Sequence, residues 1–187
     1  MEPTVSPPTI WMLDACCALN LLASGHFEAI LRTPVGGRAL VYTIAEVAAR
    51  EAASLRRGGT GEDAEEREPV DWAAIYGSGL VRQESLRTDE EIDAFVSLAS
   101  NIGDGEAMTL AIASARGYGV ITDDRKALRF LGTVPHLGTL DLLHNWSQTA
   151  EVDASTLGTV LNTIGDRARF TAPRAHPLRE WWERAFQ

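Results

Sequence analysis

Apolar residues along the chain form short runs that alternate with longer segments of helical spacing. Residues 9–13, TIWML, make up one such run, which ends at Asp14. Residues 15–23 follow it without a turn-forming residue until Ser24 and Gly25. A short apolar run bounded in this way predicts a buried strand, and the segment after it predicts a helix.

The same order repeats in the next part of the chain. A second strand is predicted at residues 39–42, and Thr43 is placed to cap a helix that runs to about Leu55. Glu46 lies at the third position of that helix, as in a capping box, where a glutamate side chain bonds back to the capping residue. Residues 56–69, RRGGTGEDAEEREP, are polar, glycine-containing and charge-rich, so they predict an exposed, mobile loop or a disordered insertion.

A further strand and helix are predicted in the middle of the chain. Residues 80–86 have the composition of a strand, and Thr88 is a good capping residue for a helix that continues through about Ser100. This helix carries four apolar residues on one stripe, which we expect to face the core: Ile92, Phe95, Val96 and Ala99.

The last part of the chain continues the alternation. After a break at residues 101–105, the predicted elements are a helix at 106–116 ended by Gly117, a strand at 120–122, a helix at about 125–131, a strand near Val134, helices at 140–146 and 154–164, and an amphipathic tail. Strands that alternate with helices predict a three-layer α/β/α fold, in which helices cover both faces of a mostly parallel sheet. We expect residues 1–150 to form the main domain and residues 151–187 to form a helical C-terminal extension packed on it.

Length and composition fit this prediction. A chain of 187 residues suffices for one domain with a core, and 45% hydrophobic with 23% charged residues is typical of a packed fold. No apolar run approaches the roughly 20 residues of a membrane-spanning helix, and the start, MEPTVSPPT, lacks a signal-like stretch, so we expect a cytoplasmic protein without a membrane partner. Cys16 and Cys17 are adjacent in an apolar segment, which favours small buried residues over a disulfide framework or a zinc site.

The net charge of -9 restricts how the chain can bind nucleic acid. It argues against sequence-independent duplex binding, because affinity for nucleic acid normally comes from many Lys and Arg contacts to phosphate. Any contact with nucleic acid must therefore be local. An acidic excess also fits carboxylates gathered around a cation, although most acidic side chains in proteins are merely solvated.

Acidic side chains lie where ligands bind in such folds, beyond the carboxyl ends of the strands. Asp14 and the pair Asp123 and Asp124 directly follow predicted strands, while Glu46 and Glu106 lie in the first turns of helices. Carboxylates that converge raise one another's pKa values, and a hard divalent ion such as Mg2+ relieves this repulsion through oxygen ligands. The candidate site therefore consists of Asp14, Glu46, Glu106 and Asp124, with Asp123 as a competitor for the last place.

Each of these carboxylates also has a structural interpretation. The aspartates can cap the helices that follow them. Glu46 can complete a capping box with Thr43 or pair with Arg50 one turn later, and Glu106 suits the positive N-terminal end of its helix. No single position therefore establishes a metal site, and the prediction depends on their joint placement.

The motifs WMLDACCALNLL, VYTIAEVAARE, GDGEAMTLAIA and VITDDRKALRF resemble, in this order, those of the PIN-domain family. In that family a strand-ending Asp, a Glu on a later helix, an acid that opens a small-residue helix and an acid just after the next strand form one metal site. The resemblance covers approximately residues 9–147 and implies a PIN-like fold with the acidic quartet Asp14, Glu46, Glu106 and Asp124. The GE pair at residues 105–106, with GTLDLL at residues 138–143, looks most like a PIN-like branch that has GE where typical toxins have Asp.

The PIN-domain family is known for metal-dependent endoribonucleases, many of them toxins of type II toxin-antitoxin systems. The resemblance therefore implies hydrolysis of RNA phosphodiester bonds with Mg2+ or Mn2+, a cognate antitoxin protein and a homodimer. The implied metal ligands are Asp14, Glu106, Asp123 and Asp124, with Glu46 as a candidate for positioning the attacking water. Phosphate contacts are expected from nearby cations: Arg50, Arg125, Lys126 and Arg129.

Other polar and aromatic residues are assigned structural functions. Asn20 and Thr122 fall where the family often has polar residues that support the site, but local side-chain bonding is common for both residue types, so we expect a structural function. The four His are scattered and are expected to be structural or exposed. Aromatic residues of the tail are expected to pack on the domain or on a partner rather than on RNA bases: Trp181, Trp182 and Phe186.

Three other functions compete with the nuclease. A catalytically silent PIN scaffold that binds proteins is favoured by the GE departure at Glu106. A phosphatase with an aspartyl nucleophile needs a second Asp two residues after the first, where this chain has Cys16. A phosphoacceptor receiver domain needs an acidic pair after its first strand, whereas Asp123 and Asp124 come late in this chain.

Overall fold

The structure, a computed structural model, describes residues 8–60 and 62–186. In chain order the strands are β1 (Ile10–Leu13), β2 (Val41–Ala45), β3 (Ser54–Arg56), β4 (Arg67–Pro69), β5 (Val81–Glu84), β6 (Gly119–Ile121) and β7 (His136–Leu137). The α-helices are α1 (Ala15–Ala23), α2 (Phe27–Arg32), α3 (Glu46–Glu51), α4 (Trp72–Gly77), α5 (Asp89–Ala99), α6 (Asp104–Arg116), α7 (Thr139–Thr149), α8 (Ala154–Arg167) and α9 (Arg179–Arg184). Two 3-10 turns lie at Glu62–Glu65 and Ala127–Phe130.

β1 is the central strand of a five-stranded sheet in the order β5-β2-β1-β6-β7, and every pairing in it is parallel. Helices flank this sheet, so the three-layer α/β/α fold with a central parallel sheet is confirmed. Strands covered on both faces are continuously apolar, and Leu13, Ile44 and Ile121 are fully buried. Because Leu13 pairs with both Ile44 and Ile121, the residues that follow these three strands meet at one edge of the sheet.

The second strand and its helix begin later than predicted. The strand runs over Val41–Ala45 rather than residues 39–42, and Thr43 lies inside it, paired with Met12 of β1. The prediction that Thr43 caps the next helix is therefore wrong. Thr43 is β-branched, which favours a strand, and its pairing with β1 stabilises this position more than a helix cap would. α3 begins at Glu46, so Glu46 is its first residue and not the third, and the helix ends at Glu51 instead of near Leu55.

Residues 56–69, predicted as an exposed loop, include parts of two short strands, and most of the described residues between these strands are exposed. β3 and β4 pair antiparallel across this segment, which also contains the Glu62–Glu65 turn. The pair is attached to the end of α8, because Arg56 donates to the Asp166 carbonyl at 3.3 Å and Arg167 donates to the Arg56 carbonyl at 3.0 Å. Charged residues that suggested a solvated loop thus bond to a distant part of the chain.

The helix α5 has the predicted cap but only half of the predicted stripe, since Phe95 and Ala99 pack against the core. The Thr88 hydroxyl accepts the Glu91 backbone N–H at 3.2 Å, which confirms the cap. Ile92 is 44% exposed and Val96 is 63% exposed, so the expectation that they face the core is wrong. Glu91 is buried instead, because its carboxylate pairs with Arg116 of α6.

The last elements differ from their predictions mainly at their ends. α6 begins at Asp104, within the predicted break, and Gly117 ends it with a positive φ of 67°, as expected for a left-handed cap. The helix predicted at residues 125–131 is only the 3-10 turn Ala127–Phe130. The strand expected near Val134 is β7, two residues later, and it pairs with β6.

The C-terminal helices share the core of the sheet domain. Leu161 and Ile164 of α8 are fully buried, and α8 contacts α1. Trp182 of α9 is buried, with its ring centroid 5.7 Å from that of Phe170, and the Trp181 ring lies 5.1 Å from that of His144. Within residues 8–60 and 62–186, none of the helices combines the length and the apolar character that crossing a membrane requires.

A partly buried ion cluster joins α5, α6 and β5. Arg116 donates to Glu91 Oε1 at 2.6 Å, to Glu84 Oε2 at 2.7 Å and to the Ser85 carbonyl at 2.9 Å. The hydrogen bond from Arg116 is the main cause that lowers the pKa of Glu91 from 4.5 to about 2. The cluster fixes the C-terminal end of α6 against the edge strand of the sheet.

Replacing Arg116 by Met is expected to lower the free energy of unfolding at pH 7 by about 3 kcal/mol, because removing one partner leaves a buried carboxylate unpaired. Urea unfolding followed by circular dichroism measures the change. Arg32→Met is the matched control: Arg32 pairs with Glu28 on the surface, where both side chains are more than half exposed, and its loss should cost less than about 0.5 kcal/mol. Equal effects of the two variants would contradict a stabilising function of the cluster.

The contribution of Glu91 should also depend on pH with a defined sign. Its folded-state pKa is depressed, so its stabilisation is complete above the ordinary value of 4.5 and is lost as the pH falls towards about 2. The difference in stability between the wild type and Arg116→Met should therefore narrow between pH 5 and pH 2, roughly the window set by these two values. A difference that stays constant over this range would show that Glu91 is not the partner responsible.

Candidate functional site

Asp14 lies at the junction of β1, α1 and β6. Its Oδ1 accepts the Ala15 backbone N–H at 2.8 Å, so the side chain caps α1. Its Oδ2 accepts the Thr122 hydroxyl at 2.8 Å, and the Cys16 thiol donates to the same oxygen at 3.2 Å. The side chain is only 1% exposed. The cap predicted as an alternative to a site is therefore present, and the same carboxylate faces the residues that follow β6.

The charge of Asp14 is only partly compensated. Burial raises its pKa from 3.8 to about 6, hydrogen bonds from Thr122 and Cys16 lower it, and the charge of Glu106 raises it again. Asp14 is thus mostly ionised at pH 7, in a position where ionisation is less favourable than in water. A bound cation would stabilise the ionised form.

A second group of carboxylates surrounds the N-terminal end of α6. The Glu106 carboxylate folds back over Gly103, where a Cβ atom would overlap it. Glu51 Oε1 accepts the Gly105 backbone N–H at 3.2 Å, and a Cβ atom on Gly105 would overlap this carboxylate too. Partial burial raises the pKa of Glu51, and the charges of Glu106 and Asp104 raise it further. The acidic group therefore includes Glu51.

Sequence reasoning did not select Glu51, and no spacing rule identifies it. The sequence clue to Glu51 is the pair of glycines at positions 103 and 105. Because neither has a Cβ atom, the carboxylates of Glu106 and Glu51 can approach the backbone closely there. Gly105 thus leaves space for the Glu51 carboxylate, and Gly103 leaves space for that of Glu106.

Asp123 is held by the first turn of α7 and by α1. Its Oδ1 accepts the Thr139 backbone N–H at 3.1 Å, and its Oδ2 accepts the Thr139 hydroxyl at 2.5 Å and the Asn20 amide at 3.1 Å. The Cys17 thiol donates to Oδ2 as well, at 3.2 Å. With these donors, Asp123 joins α1 to α7 and has little capacity for a further ligand.

Asp124 is bonded differently from its neighbour. Its Oδ1 accepts the backbone N–H groups of Lys126 and Ala127 at 2.7 and 2.8 Å, and its own N–H donates to the Thr122 hydroxyl at 3.1 Å. Thr122 therefore links the Asp14 carboxylate to the Asp124 backbone. Of the two candidates for the fourth acid, Asp124 is the one connected to Asp14.

Asn20 and Thr122 contact the acidic side chains directly. The sequence interpretation gave both residues structural functions. They are structural in that they hydrogen-bond within the fold, but their partners are the carboxylates of Asp123 and Asp14. Asn20 and Thr122 are therefore placed to orient the carboxylates of Asp123 and Asp14.

Glu46 stands apart from the others. It lies at the carboxyl end of β2, where its Oε2 accepts the Ser85 hydroxyl at 3.1 Å on the side of β5. The acidic neighbour that raises the pKa of Asp14 is Glu106. The structure thus brings Asp14 together with Glu106 and Thr122, while Glu46 lies on the β5 side of this edge.

The charge of Glu106 raises the pKa of Asp14, and the charges of Glu106 and Asp104 raise that of Glu51. Within residues 8–60 and 62–186, no three His, Cys, Asp or Glu side chains are arranged so that they could hold one metal ion. The donors around Asp14 are mainly carboxylate and hydroxyl oxygens, the type that Mg2+ and Mn2+ prefer. The chemistry of the donors fits such an ion, and binding by three of them requires at least one side chain to rotate.

The predicted phosphate-binding cations lie near the acids and are exposed. Arg125 and Lys126 directly follow Asp124, and Arg50 lies in the last turn of α3, where its charge lowers the pKa of Glu51. These side chains are available to a polyanion at the same edge of the sheet as Asp14. They provide the local positive charge that the acidic chain as a whole lacks.

Comparisons with known proteins do not assign a family. No family model matches the chain, and no curated protein matches it. Among solved structures, the crystal structure of PAE2754 from Pyrobaculum aerophilum is similar, with a TM-score of 0.43 and 15% sequence identity over 75% of this chain and 96% of that chain. At this level the likeness identifies neither a family nor an activity.

Replacing Asp14 by Asn is expected to stabilise the metal-free protein above pH 6. The pKa of Asp14 is raised on folding from 3.8 to about 6, so stability is lost as the pH rises through this range. At roughly 1.4 kcal/mol per pKa unit the effect is at most about 3 kcal/mol, and weaker hydrogen bonds to Asn reduce the gain to about 1–2 kcal/mol. Urea unfolding in EDTA at pH 4 and pH 8 measures it.

The exposed Asp93 of α5 supplies the control, since Asp93→Asn should change the free energy of unfolding by less than about 0.5 kcal/mol at either pH. If Asp14→Asn were less stable than the wild type at pH 8 in EDTA, ionised Asp14 would stabilise the metal-free fold. This result would contradict the argument that the Asp14 charge requires a bound cation.

Proposed function

We propose that this protein is a metal-dependent endoribonuclease of the PIN type, which hydrolyses RNA phosphodiester bonds with Mg2+ or Mn2+. The observation that supports it best is Asp14, a buried carboxylate at the carboxyl end of the central strand whose pKa is raised by burial and by Glu106. Strongly shifted pKa values cluster at functional sites, where burial and neighbouring charges are arranged around a reacting or ligand-binding group. The position is also the one where ligands bind in parallel α/β sheets.

In the proposed mechanism, Asp14, Glu106 and Asp124 would hold the ion, which supplies an activated water and stabilises charge on the leaving oxygen. Thr122 positions the Asp14 carboxylate through its hydroxyl. Glu46, whose Oε2 accepts the Ser85 hydroxyl on the β5 side, would have to turn towards Asp14 to accept a hydrogen bond from the attacking water.

The substrate contacts come from exposed cations. Arg50, Arg125 and Lys126 would bind phosphates on either side of the scissile bond. Because these contacts are few and the chain is acidic, affinity should depend on the local geometry of the RNA more than on its total charge.

The resemblance to PIN-domain toxins extends the proposal to its biology. We propose that the protein is a cytoplasmic toxin of a type II toxin-antitoxin system, forms a homodimer and is neutralised by a cognate antitoxin. A small DNA-binding protein encoded beside it, which forms a complex with this chain and suppresses RNA cleavage, would support this extension. RNA cleavage without such a neighbour would favour a function in RNA processing.

A catalytically silent scaffold that binds proteins is the second candidate. It is favoured by the structural hydrogen bonds that occupy Asp123. Within the described residues, moreover, no three potential ligands are grouped around one position. In this case Asp14, Asp123 and Asp124 act only as helix and turn caps. The two candidates differ in whether the protein binds a divalent ion.

Asp14→Asn and Glu106→Gln are each expected to lower the rate of RNA cleavage by more than about 100-fold. Loss of a residue that only orients a metal ligand costs about 10- to 100-fold, and loss of a ligand itself should cost more. Purified protein is incubated with total RNA and with tRNA in Mg2+ or Mn2+, with EDTA as the metal-free control. Thr122→Val, which removes the hydroxyl that orients Asp14, should cost about 10- to 100-fold. Asp93→Asn should cleave at the wild-type rate.

Thermal unfolding tests metal binding without depending on cleavage. An ion that binds only the folded state should raise the unfolding temperature of the wild type and leave that of Asp14→Asn unchanged. If neither RNA was cut nor the unfolding temperature changed in either metal, the nuclease proposal would be wrong and the silent scaffold would stand.

A further inference from the structure

A cavity of about 420 Å3 lies beside the candidate site, at the carboxyl ends of β6 and β7. One wall contains Thr122 and Asp123, and the opposite wall is formed by residues 173–177, which connect α8 to α9. The volume lies in the range of about 300–1,000 Å3 that is typical of small-molecule sites. A larger groove of about 620 Å3 lies between α8 and α9 and has none of the candidate residues in its lining.

Local hydrogen bonds hold the segment that forms the second wall. The His176 backbone N–H donates to the Pro173 carbonyl at 3.0 Å, and the Arg179 N–H donates to the His176 carbonyl at 2.9 Å. The Arg179 guanidinium also donates to the carbonyl of Ala172, which is buried. The wall is therefore formed by an ordered turn before any ligand binds.

Several residues that line the cavity are hydrogen-bond donors. Arg125, His136 and His176 line it. The Nδ1 atom of His176 accepts the Leu178 backbone N–H at 3.1 Å, so the neutral imidazole carries its proton on Nε2, which is then a donor. Arg125 adds a planar cation that can bind a phosphate through two parallel hydrogen bonds.

Two carboxylates also line the cavity, but both are bonded to the start of α7. Asp123 accepts the Thr139 N–H, and Asp141 Oδ2 accepts the Gly138 N–H at 2.7 Å. The positive end of this helix offsets part of their charge. They therefore repel an anion at Arg125 less than two free carboxylates would.

Apolar side chains complete the lining. Leu128 lies on one side, and Pro173, Ala175 and Pro177 lie on the other. Small and cyclic apolar residues in the lining can pack against a flat aromatic ring. A planar base with an attached phosphate matches both the apolar walls and the donors.

We propose that this cavity binds one nucleotide of the RNA substrate, with the base between Leu128 and the proline-containing wall and the phosphate at Arg125. This inference rests on the proposed function, because it takes the bound nucleotide to be the neighbour of the cleaved one. Thr122 supports this adjacency, since it lines the cavity and also bonds to Asp14. The C-terminal segment then selects a base at a fixed distance from the cleaved bond, which gives the enzyme sequence preference.

Binding of uridine and adenosine 5′-monophosphate to the full chain in EDTA tests the cavity without metal and without cleavage. Amide chemical shifts in NMR spectra locate the site, and we expect changes at Arg125, His176 and Gly138. Inorganic phosphate is the second probe and should bind at least about tenfold more weakly, because it cannot use the apolar walls.

Two variants and one control sharpen this test. Arg125→Gln removes the cation and Ala175→Leu fills the cavity, and each should weaken nucleotide binding about tenfold or more. Arg174→Gln is the matched control, because Arg174 is an exposed residue of the same segment outside the lining. Circular dichroism must show that each variant is folded, and Ala175→Leu, at an exposed position, provides a second reading if Arg125→Gln is not.

The outcomes separate this inference from the nuclease proposal. Nucleotide binding that both variants abolish would support the cavity even if the wild type cut no RNA. Cleavage of RNA with unchanged rate and base preference in both variants would overturn the inference and remove Arg125 from the proposed phosphate contacts. The proposed metal-dependent chemistry would still stand, because Asp14→Asn tests it separately. Equal binding of phosphate and nucleotides, or shifts confined to residues outside the cavity, would also overturn it.

Discussion

The parallel pairing of β1 with β6 is the constraint on which the rest of the site depends. The Asp14 backbone N–H, one residue beyond the end of β1, donates to the carbonyl of Ile121, the last residue of β6, at 3.0 Å. This bond places Asp14 beside Thr122, so a buried carboxylate and a hydroxyl from distant parts of the chain meet without any flexible loop between them. The fully buried apolar strands on either side make the position rigid, because a shift in register would expose the core.

Three helices begin at this edge, and each contributes to holding negative charge there. α1 is capped by Asp14, the first turn of α7 binds Asp123, and Glu106 lies in the first turn of α6. Helix N-termini carry partial positive charge, so they lower the cost of gathering carboxylates. They do not remove it, since the pKa of Asp14 stays raised. Structural capping and a candidate binding site are thus combined in the same side chains.

The sequence was sufficient for features that depend on local pattern. The strand before Asp14, its capping function and the Thr88 cap all follow from short runs and adjacent residues. Features set by distant contacts were missed or wrong. Thr43 belongs to a strand because β1 lies beside it, and Ile92 and Val96 face outwards because Arg116 draws Glu91 into the interior. Glu51 and the wall at residues 173–177 depend on packing between elements that no periodicity records, and the family resemblance stays a hypothesis because the comparisons assign none.

The attachment of the β3 and β4 pair to α8 has a consequence for the order of events during synthesis. Arg56 and Arg167 bond to each other's segments across 111 positions of sequence, and residues 173–177 follow only after α8. A nascent chain can therefore complete every strand of the sheet and align Asp14 with Thr122 while the second wall of the cavity does not yet exist. If the cavity selects the substrate, selectivity is the last property that the growing chain acquires.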